Sequence, residues 1–564
     1  MAHPFDEAVD AVRLGIMATP GLLHVGTVQV RGATFPAFDS APADLPAFFD
    51  QFCALHAERE CLVDGAERLS FAQVHALARA VAAGLVTRHG VMPGDPVGLA
   101  ARNGAGWVIA YMGILMAGGV ATLINAFWTG AEMAEAVRDV GCKLVLADRF
   151  RYDALRIRQA GTGARLELLD LDLPVADSLA PLSADPANIS FPTLGPDAPA
   201  TLLFTSGSTG QCKGALSDHR AKVQAVLHFA CSVLSIATLL EQNGQPPARL
   251  PSTTLNLPLF HVTGEVVTML LSFALGRKMV VMRRWDALEA LRLIEEERIT
   301  YITGVPLMGV ELAAHPQRDA FDLSSLGDVA AGGAPRPAEQ VERLRAGLPD
   351  AWPSFGYGLT ETNAVGTAIM RDAVLAHPVS PGRETPPLVE LAIFGDDGSR
   401  LGAHETGEIG IRSIANMSGY WNRPEENARL FTPDGYVLTG DLGFLDAQGY
   451  LTIVGRRKDI IIRGGENIAS PEVEAALYAI PAVRECAVFG VPDLRLGEVP
   501  VAVIRADAES GLDEARVSEA LGGRLASYKR PSHIHFQSDP LPRLGSEKID
   551  KRALRDSYLS TEAV

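Results

Sequence analysis

Between Phe204 and Gly214 the chain reads Phe-Thr-Ser-Gly-Ser-Thr-Gly-Gln-Cys-Lys-Gly, three glycines, four hydroxyl residues and one lysine in eleven positions. A polyphosphate cradle needs this mixture. Gly207, Gly210 and Gly214 let backbone N–H groups approach phosphate oxygens, Thr205, Ser206, Ser208 and Thr209 add donors, and Lys213 supplies a mobile positive charge. The Walker A pattern fails, because Cys212 precedes Lys213 and Gly214 follows it, so a P-loop kinase or GTPase loses its anchor. A flexible Ser/Gly loop has the same composition. Further on, Ala330-Ala-Gly-Gly-Ala-Pro-Arg336, with Gly333, Ala334 and Pro335 at its centre, precedes Gly356-Tyr-Gly-Leu-Thr-Glu361. Together these make a candidate nucleotide pocket: glycines such as Gly358 let a base lie against the backbone, Tyr357 offers a stacking face, Thr360 a phosphate donor and Glu361 a hard oxygen ligand for Mg²⁺. Thr439-Gly440-Asp441 adds a carboxylate that can accept from two ribose hydroxyls. Each segment alone reads equally well as a turn.

The elements around these residues read as α/β. From Leu69 onward, helix-like stretches at Phe71–Arg88 and Gly130–Val140 alternate with apolar runs at Pro96–Ala100 and Lys143–Ala147, the pattern of βαβ units and a largely parallel sheet. Asp177 to Pro199 carries five prolines and reads as a surface linker, with Asp177-Ser178-Leu179 as loop. Ala200–Thr205 is a strand leading into the phosphate loop. After Leu388 come short strands separated by the turn pairs Asp397-Gly398, Asp434-Gly435 and Gln448-Gly449, which point to an antiparallel subdomain. A terminal unit begins near Asp459 with a strand at Ile460–Arg463. Ser470 follows as N-cap with Pro471 as first helical residue, then strands at Ala487–Val491 and Val499–Ile504 and a helix at Glu514–Ala526. The first 45 residues, broken by Pro20-Gly21, Pro36 and Pro42, read as an irregular extension.

In chain order these motifs resemble those of the adenylate-forming (AMP-binding) superfamily, in its acyl-CoA synthetase branch. Pro258-Leu-Phe-His-Val-Thr-Gly264 is similar to that family's acyl-pocket histidine motif, Gly455-Arg-Arg-Lys-Asp459 to its hinge, Gly464-Gly-Glu-Asn-Ile-Ala-Ser-Pro-Glu-Val-Glu474 to the segment after it, and Pro542-Arg-Leu-Gly-Ser-Glu-Lys-Ile549 to its catalytic-lysine loop. The resemblance covers about Pro46 to Leu554. It departs at Cys212, where proline is usual, and at Glu547, where glycine is usual; Lys551 is the nearest substitute for Lys548.

The resemblance implies a large N-terminal domain of parallel α/β sheets plus a small β-subdomain, and a small mobile α+β C-terminal domain. The divisions fall at 1–45 (extension), 46–455 (adenylation domain), 456–459 (hinge) and 460–564 (C-terminal domain). It implies two steps: a carboxylic acid and MgATP give acyl-AMP and pyrophosphate, and the thiol of CoA then displaces AMP. Lys548, Thr360, Glu361 and His261 are the catalytic candidates, with Glu361 holding Mg²⁺. Thr205 to Gly210, Lys213, Gly333 to Pro335, Tyr357, Gly358, Thr360, Asp441 and Arg456 are the ATP and AMP candidates. Lys458 is the pivot, Gly464 and Gly465 line the thiol tunnel, and Phe260, His261, Gly264, Gly304, Ala331 and Gly332 form the acyl pocket. Small residues there, beside Phe260 and Phe355, leave room for a medium or long fatty acid or a bulky ring-bearing acid. Alternatives are an acyl-AMP ligase loading a carrier protein, an aromatic-acid CoA ligase and, from another class, a nucleotide-binding regulator without turnover. The presence of Lys213, Glu361, Asp441, Arg456 and Lys548 together speaks against the last.

Composition is that of an ordinary globular protein. The 564 residues are 47% hydrophobic and 21% charged, and 67 acidic against 50 basic residues give a net charge of −17, which repels nucleic acid. Six scattered cysteines without a CxxC pair fit a reducing, cytoplasmic setting, and early Asp6, Glu7 and Asp10 are opposite to a signal's basic region. The apolar run Trp107–Ile124 is split by Gly118-Gly119 and reads as a buried helix, turn and strand, so no transmembrane segment is expected; a homodimer is left open.

Overall fold

The computed structural model describes residues 2–206, 212–246, 249–334, 336–464, 466–522, 524–544 and 548–562. Two large mixed sheets form the body. In one, the strands run in the order Gly419–Tyr420, Cys212–Asp218, Pro199–Ser206, Val120–Leu123, Pro96–Ala100, Leu144–Ala147, Arg165–Leu168. The other is centred on the parallel strands Trp352–Tyr357, Asp328–Gly332, Tyr301–Gly304, Ser252–Leu255 and Lys278–Val281. Both sheets are parallel at the centre and turn antiparallel toward an edge, where Cys212–Asp218 returns beside Pro199–Ser206 and Thr367–Met370 beside Trp352–Tyr357. Local signals set the crossover helices. Ser70 and Gln73 form a reciprocal capping box at the start of Phe71–Thr87, Thr129 and Glu132 do the same for Gly130–Val140, and Gly141 ends the latter in the left-handed region at φ +79°.

The run from Trp107 divides as its glycines indicate. A helix at Ala105–Met116, buried at every residue, turns at Gly118 with φ +85° into the strand Val120–Leu123. Among the described residues one helix, His219–Gln242, is long and apolar enough to cross a membrane; here it packs in the core, with Lys222 fully buried. The small antiparallel sheet takes the order Val389–Phe394, Gly407–Ser413, Val437–Leu445, Leu451–Arg456. Gly398, Gly435 and Gly449 occupy positive φ at its expected turns. The terminal unit is built around the hairpin Val483–Asp493 and Gly497–Ala506, with Ile461–Arg463 and His533–Phe536 beside Gly497–Ala506 and the helix Ser470–Tyr478 packed on Val483–Asp493.

Three local expectations are corrected. The first 45 residues are regular: a helix at Pro4–Ala18, with Pro4 in its first turn and His3 as cap, and a hairpin of Val25–Val30 with Ala33–Phe38. Its buried stripe of Val9, Arg13 and Met17 explains the helix, and a lone two-stranded hairpin tolerates Pro36. Asp177-Ser178-Leu179 belongs to a short helix, Val175–Leu179, because Val175, Ser178 and Leu179 are buried. The cap of Ser470–Tyr478 is Ala469, and the buried Ser470 hydroxyl instead donates to the Asp459 carbonyl at 3.4 Å.

Candidate active site

The strand Pro199–Ser206 delivers Thr205 to the phosphate loop and Cys212–Asp218 carries Lys213 away from it. Ser206 lies in the strand. Gly207, Ser208, Thr209 and Gly210 fall outside the described residues, as do Pro335, Gly465 and Glu547. Lys213 ion-pairs with Glu426 of the short helix Pro424–Leu430, and its ammonium stands 5.3 Å from the centre of the Tyr420 ring. The Tyr420 hydroxyl donates to Glu361 at 2.5 Å, and burial followed by the Glu361 charge pushes that phenol far above its ordinary pKa. One tyrosine therefore touches both the phosphate-binding candidate Lys213 and the metal candidate Glu361. Burial, reinforced by Glu132 and Glu135, pushes the neighbouring Cys212 thiol up to about 11, which makes it a poor nucleophile.

Glu361 sits in the single 3₁₀ turn Thr360–Thr362, whose exit through Asn363 and Ala364 runs at φ +50° and +66°. Asn363 is held by Ser217 and by the Ala415 carbonyl, and the Met417 N–H donates to the Glu361 carbonyl at 2.9 Å. Gly358 is demanded by this turn, since a Cβ there would come within 2.2 Å of the Ala364 carbonyl oxygen. The Tyr357 hydroxyl donates to Asp441 at 2.7 Å, and Asp441 also pairs with Arg456 at 3.1 Å, opposite it on the next strand. Burial and then the Asp441 charge raise the Tyr357 phenol.

Lys548 reaches this group from the terminal unit. A Cβ on Gly333 would lie 3.4 Å from its Cε and 3.7 Å from its Nζ, and the ammonium faces the charges of Arg456, Asp441 and Glu361. Burial and then Arg456 hold its pKa below the ordinary lysine value. Its loop is closed by the Leu544 N–H donating to the Lys548 carbonyl and by a bridge between Arg543 and Ile549. Lys551 is elsewhere, paired with Glu474 at 2.6 Å, so Lys548 is the lysine brought to the site. Ala334 follows Gly333 in the bend beneath it. Lys458 is exposed in the 3₁₀ turn Arg457–Asp459, between the strands Leu451–Arg456 and Ile461–Arg463, and Gly464 turns at φ +60°.

The acyl segment differs from expectation in where its space lies. Phe260 is buried, with its ring 4.7 Å from His261 and 5.6 Å from Phe127. Side-chain room at the glycines is already taken: a Cβ on Gly264 would meet the Pro258 carbonyl at 2.3 Å, on Gly304 the Met308 sulfur at 2.6 Å, and on Gly332 the Gly356 carbonyl at 3.2 Å. These glycines permit close packing of backbone and side chains. Phe355 clusters with Val341, Ile369 and Val374, apart from the core that holds Phe260. Ala331 packs against that same Phe355 cluster, and the buried Arg336 guanidinium lies 4.2 Å from the Phe355 ring.

Sequence reasoning missed Tyr420, Glu426 and Asn103. The buried Asn103 donates to the Leu255 and Leu257 carbonyls and accepts from the Leu259 N–H, clamping the chain just before His261. An Asn-Gly pair reads first as a turn, and no local pattern marks a clamp whose partners are more than 150 positions away.

The parallel α/β body, Lys213 at its sheet edge and a second lysine arriving from a terminal unit are the marks of a nucleotide-dependent enzyme. The chain belongs to the AMP-binding enzyme family: that family's model matches residues 49–421, and the model of the AMP-binding enzyme C-terminal domain matches 472–548. It is 32% identical over 497 residues to a long-chain-fatty-acid–CoA ligase of Mycobacterium tuberculosis, covering 88% of this chain and 94% of that protein. It is 33% identical over 495 residues to a feruloyl-CoA synthase of an Amycolatopsis species, covering 88% and 95%. The structure of ATP-bound MatB from Rhodopseudomonas palustris superposes with a TM-score of 0.79 at 29% identity, covering 91% of this chain and 98% of the other.

Proposed function

We propose that the protein is an AMP-forming acyl-CoA ligase acting on a hydrophobic acid, either a medium- or long-chain fatty acid or a bulky ring-bearing one. The observation that carries this is Lys548: a terminal-unit lysine over Gly333, facing Arg456, Asp441 and Glu361. A carboxylate attacking the α-phosphorus of ATP accumulates negative charge among anions, so catalysis must come from placed cations and donors. In this reading Lys548 bridges the acid and the α-phosphate, with Thr360 donating beside it. Lys213 and the hydroxyls of 205–209 hold the leaving pyrophosphate. Tyr357 lies against adenine, Asp441 and Arg456 hold the ribose, and His261 with Phe260 borders the acyl chain. The thiol of CoA then attacks the acyl carbonyl, the carbonyl–oxygen bond to AMP breaks, and the thiol proton leaves to solvent.

Mg²⁺ fits the donor set. No group of three or more carboxylate, histidine or cysteine side chains suited to a metal occurs among the described residues, and Mg²⁺ commonly takes one or two carboxylates and fills its shell with phosphate oxygens and water. Glu361 is the carboxylate for it. Bound there, the ion would neutralise phosphate charge.

The test is pyrophosphate release with ATP over acids of graded chain length and ring content, with and without CoA. Acid-dependent release, with thioester appearing only when CoA is present, is expected. Release that never leads to thioester would replace CoA by a carrier protein, and no release with any acid would overturn the reading.

A further inference from the structure

At Thr263, within the acyl segment, the chain enters a π-helix, Thr263–Leu270, whose third residue, Glu265, is fully buried. Both of its carboxylate oxygens are taken. The Lys222 ammonium donates to one at 2.6 Å and the Tyr111 hydroxyl to the other at 2.7 Å, with neither partner exposed to solvent. The two donors come from different helices, His219–Gln242 and Ala105–Met116. Tyr111 is itself fixed by stacking on Trp107, with ring centres 5.5 Å apart and planes inclined by 11°.

A buried ion pair is a poor source of stability, because removing two charges from water offsets most of their attraction and a hydrophobic replacement of similar volume often folds as well. What such a pair does supply is a fixed orientation between the elements that carry it. Here that orientation is next to the acyl segment: the Glu265 N–H donates to the His261 carbonyl at 2.9 Å, and Gly264 is pressed against the Pro258 carbonyl. A π-turn is the kind of local irregularity that recurs at functional sites. Lys222 lies one turn before the buried Ala225 and Val226 on the long helix that faces this segment.

We propose that Lys222, Glu265 and Tyr111 are positioning residues for acid selection: by gripping Glu265 from two helices they fix how the π-helix presents Gly264 and His261, and so set which acids fit. This rests on the reading of Pro258–Gly264 as acyl-pocket wall. The experiment compares the wild type with the double variant Lys222→Met, Glu265→Leu and with Tyr111→Phe, recording melting temperature, KM for ATP, and kcat/KM for two acids differing by several carbons.

The expected result is a folded double variant whose KM for ATP is unchanged while the ratio of kcat/KM between the two acids shifts about tenfold or more, the scale on which pockets discriminate methylenes. Tyr111→Phe should shift it less. An unchanged ratio in a folded double variant overturns the proposal, as does a double variant that fails to fold, which would make the network a stability element. A wild type without acid-dependent pyrophosphate release overturns the underlying function and this inference with it.

Discussion

At the scale of single residues, the site joins groups that oppose one another. Lys548 is held below its ordinary pKa by burial and by Arg456, so its charged form is less favourable in the folded protein than in the unfolded chain. The unfolded state then binds the proton more tightly, and the lysine costs stability at every pH below its folded pKa; the cost fades as pH rises toward the ordinary value near ~10.4. Lys548→Met should therefore melt at a slightly higher temperature than wild type at pH 7, with the gap narrowing in scans at higher pH. For activity, Lys548→Ala should lose acyl-adenylate formation while still converting supplied acyl-adenylate and CoA into thioester; equal loss in both half-reactions would remove Lys548 from its role. Glu426 pairs with Lys213, so under the proposed function it competes with pyrophosphate for that ammonium. Glu426→Gln should lower the KM for ATP about fivefold, equivalent to roughly 1 kcal/mol for a partly exposed pair. An unchanged KM and an unchanged Kd for pyrophosphate would show the contact to be idle.

At the scale of elements, what was legible in the sequence was whatever is encoded locally. The strand leading toward Lys213 and the turn glycines 398, 435 and 449 each carry their signal within a few residues and stand where expected; the capping boxes at Ser70 and Thr129 are encoded just as locally. What was not legible depended on packing between distant segments. Gly264 and Gly304 signal small size but not what fills the space, and only the fold shows Pro258 and Met308 doing so. Tyr420 has no local signal in Gly-Tyr-Trp; what brings it beside Lys213 is the pairing of its strand with Ala215 and Leu216. Asn103 is the same lesson with an energy attached. Asn103→Ala leaves two buried carbonyls and one N–H without their partner, which should cost about 2–4 kcal/mol in denaturant unfolding and raise the KM for the acid more than that for ATP.

At the scale of the whole molecule, the proposed site draws Lys213 from the body and Lys548 from the terminal unit of an acidic protein. With a net charge of −17, the long-range field opposes polyanions such as ATP and CoA, so under the proposed function their affinity is supplied locally, by Lys213, Arg456, Lys548 and backbone donors. The first 38 residues are tied to this arrangement. Phe38 exchanges two hydrogen bonds with the Gln224 side chain at 2.9 Å each, Arg31 donates to the Met417 carbonyl, and Tyr450 donates to Asp6 at 2.6 Å. Removing residues 2–38 strips Val9, Met17, Phe35 and Phe38 from their contacts and should lower the melting temperature by about 5 °C or more. An unchanged melting curve would show the segment to be a passive cover.

That N-terminal segment separates two boundaries that are easily taken as one. The family match begins at residue 49, whereas the folded unit begins at the helix Pro4–Ala18, and the long helix His219–Gln242 lies under the segment between. A surface that is covered in every folded molecule is under no pressure to be soluble. An enzyme trimmed to its family boundary, or spliced there onto a relative's N-terminus, would inherit an apolar face with Gln224 unpaired, and its first failure would be self-association during expression rather than loss of chemistry.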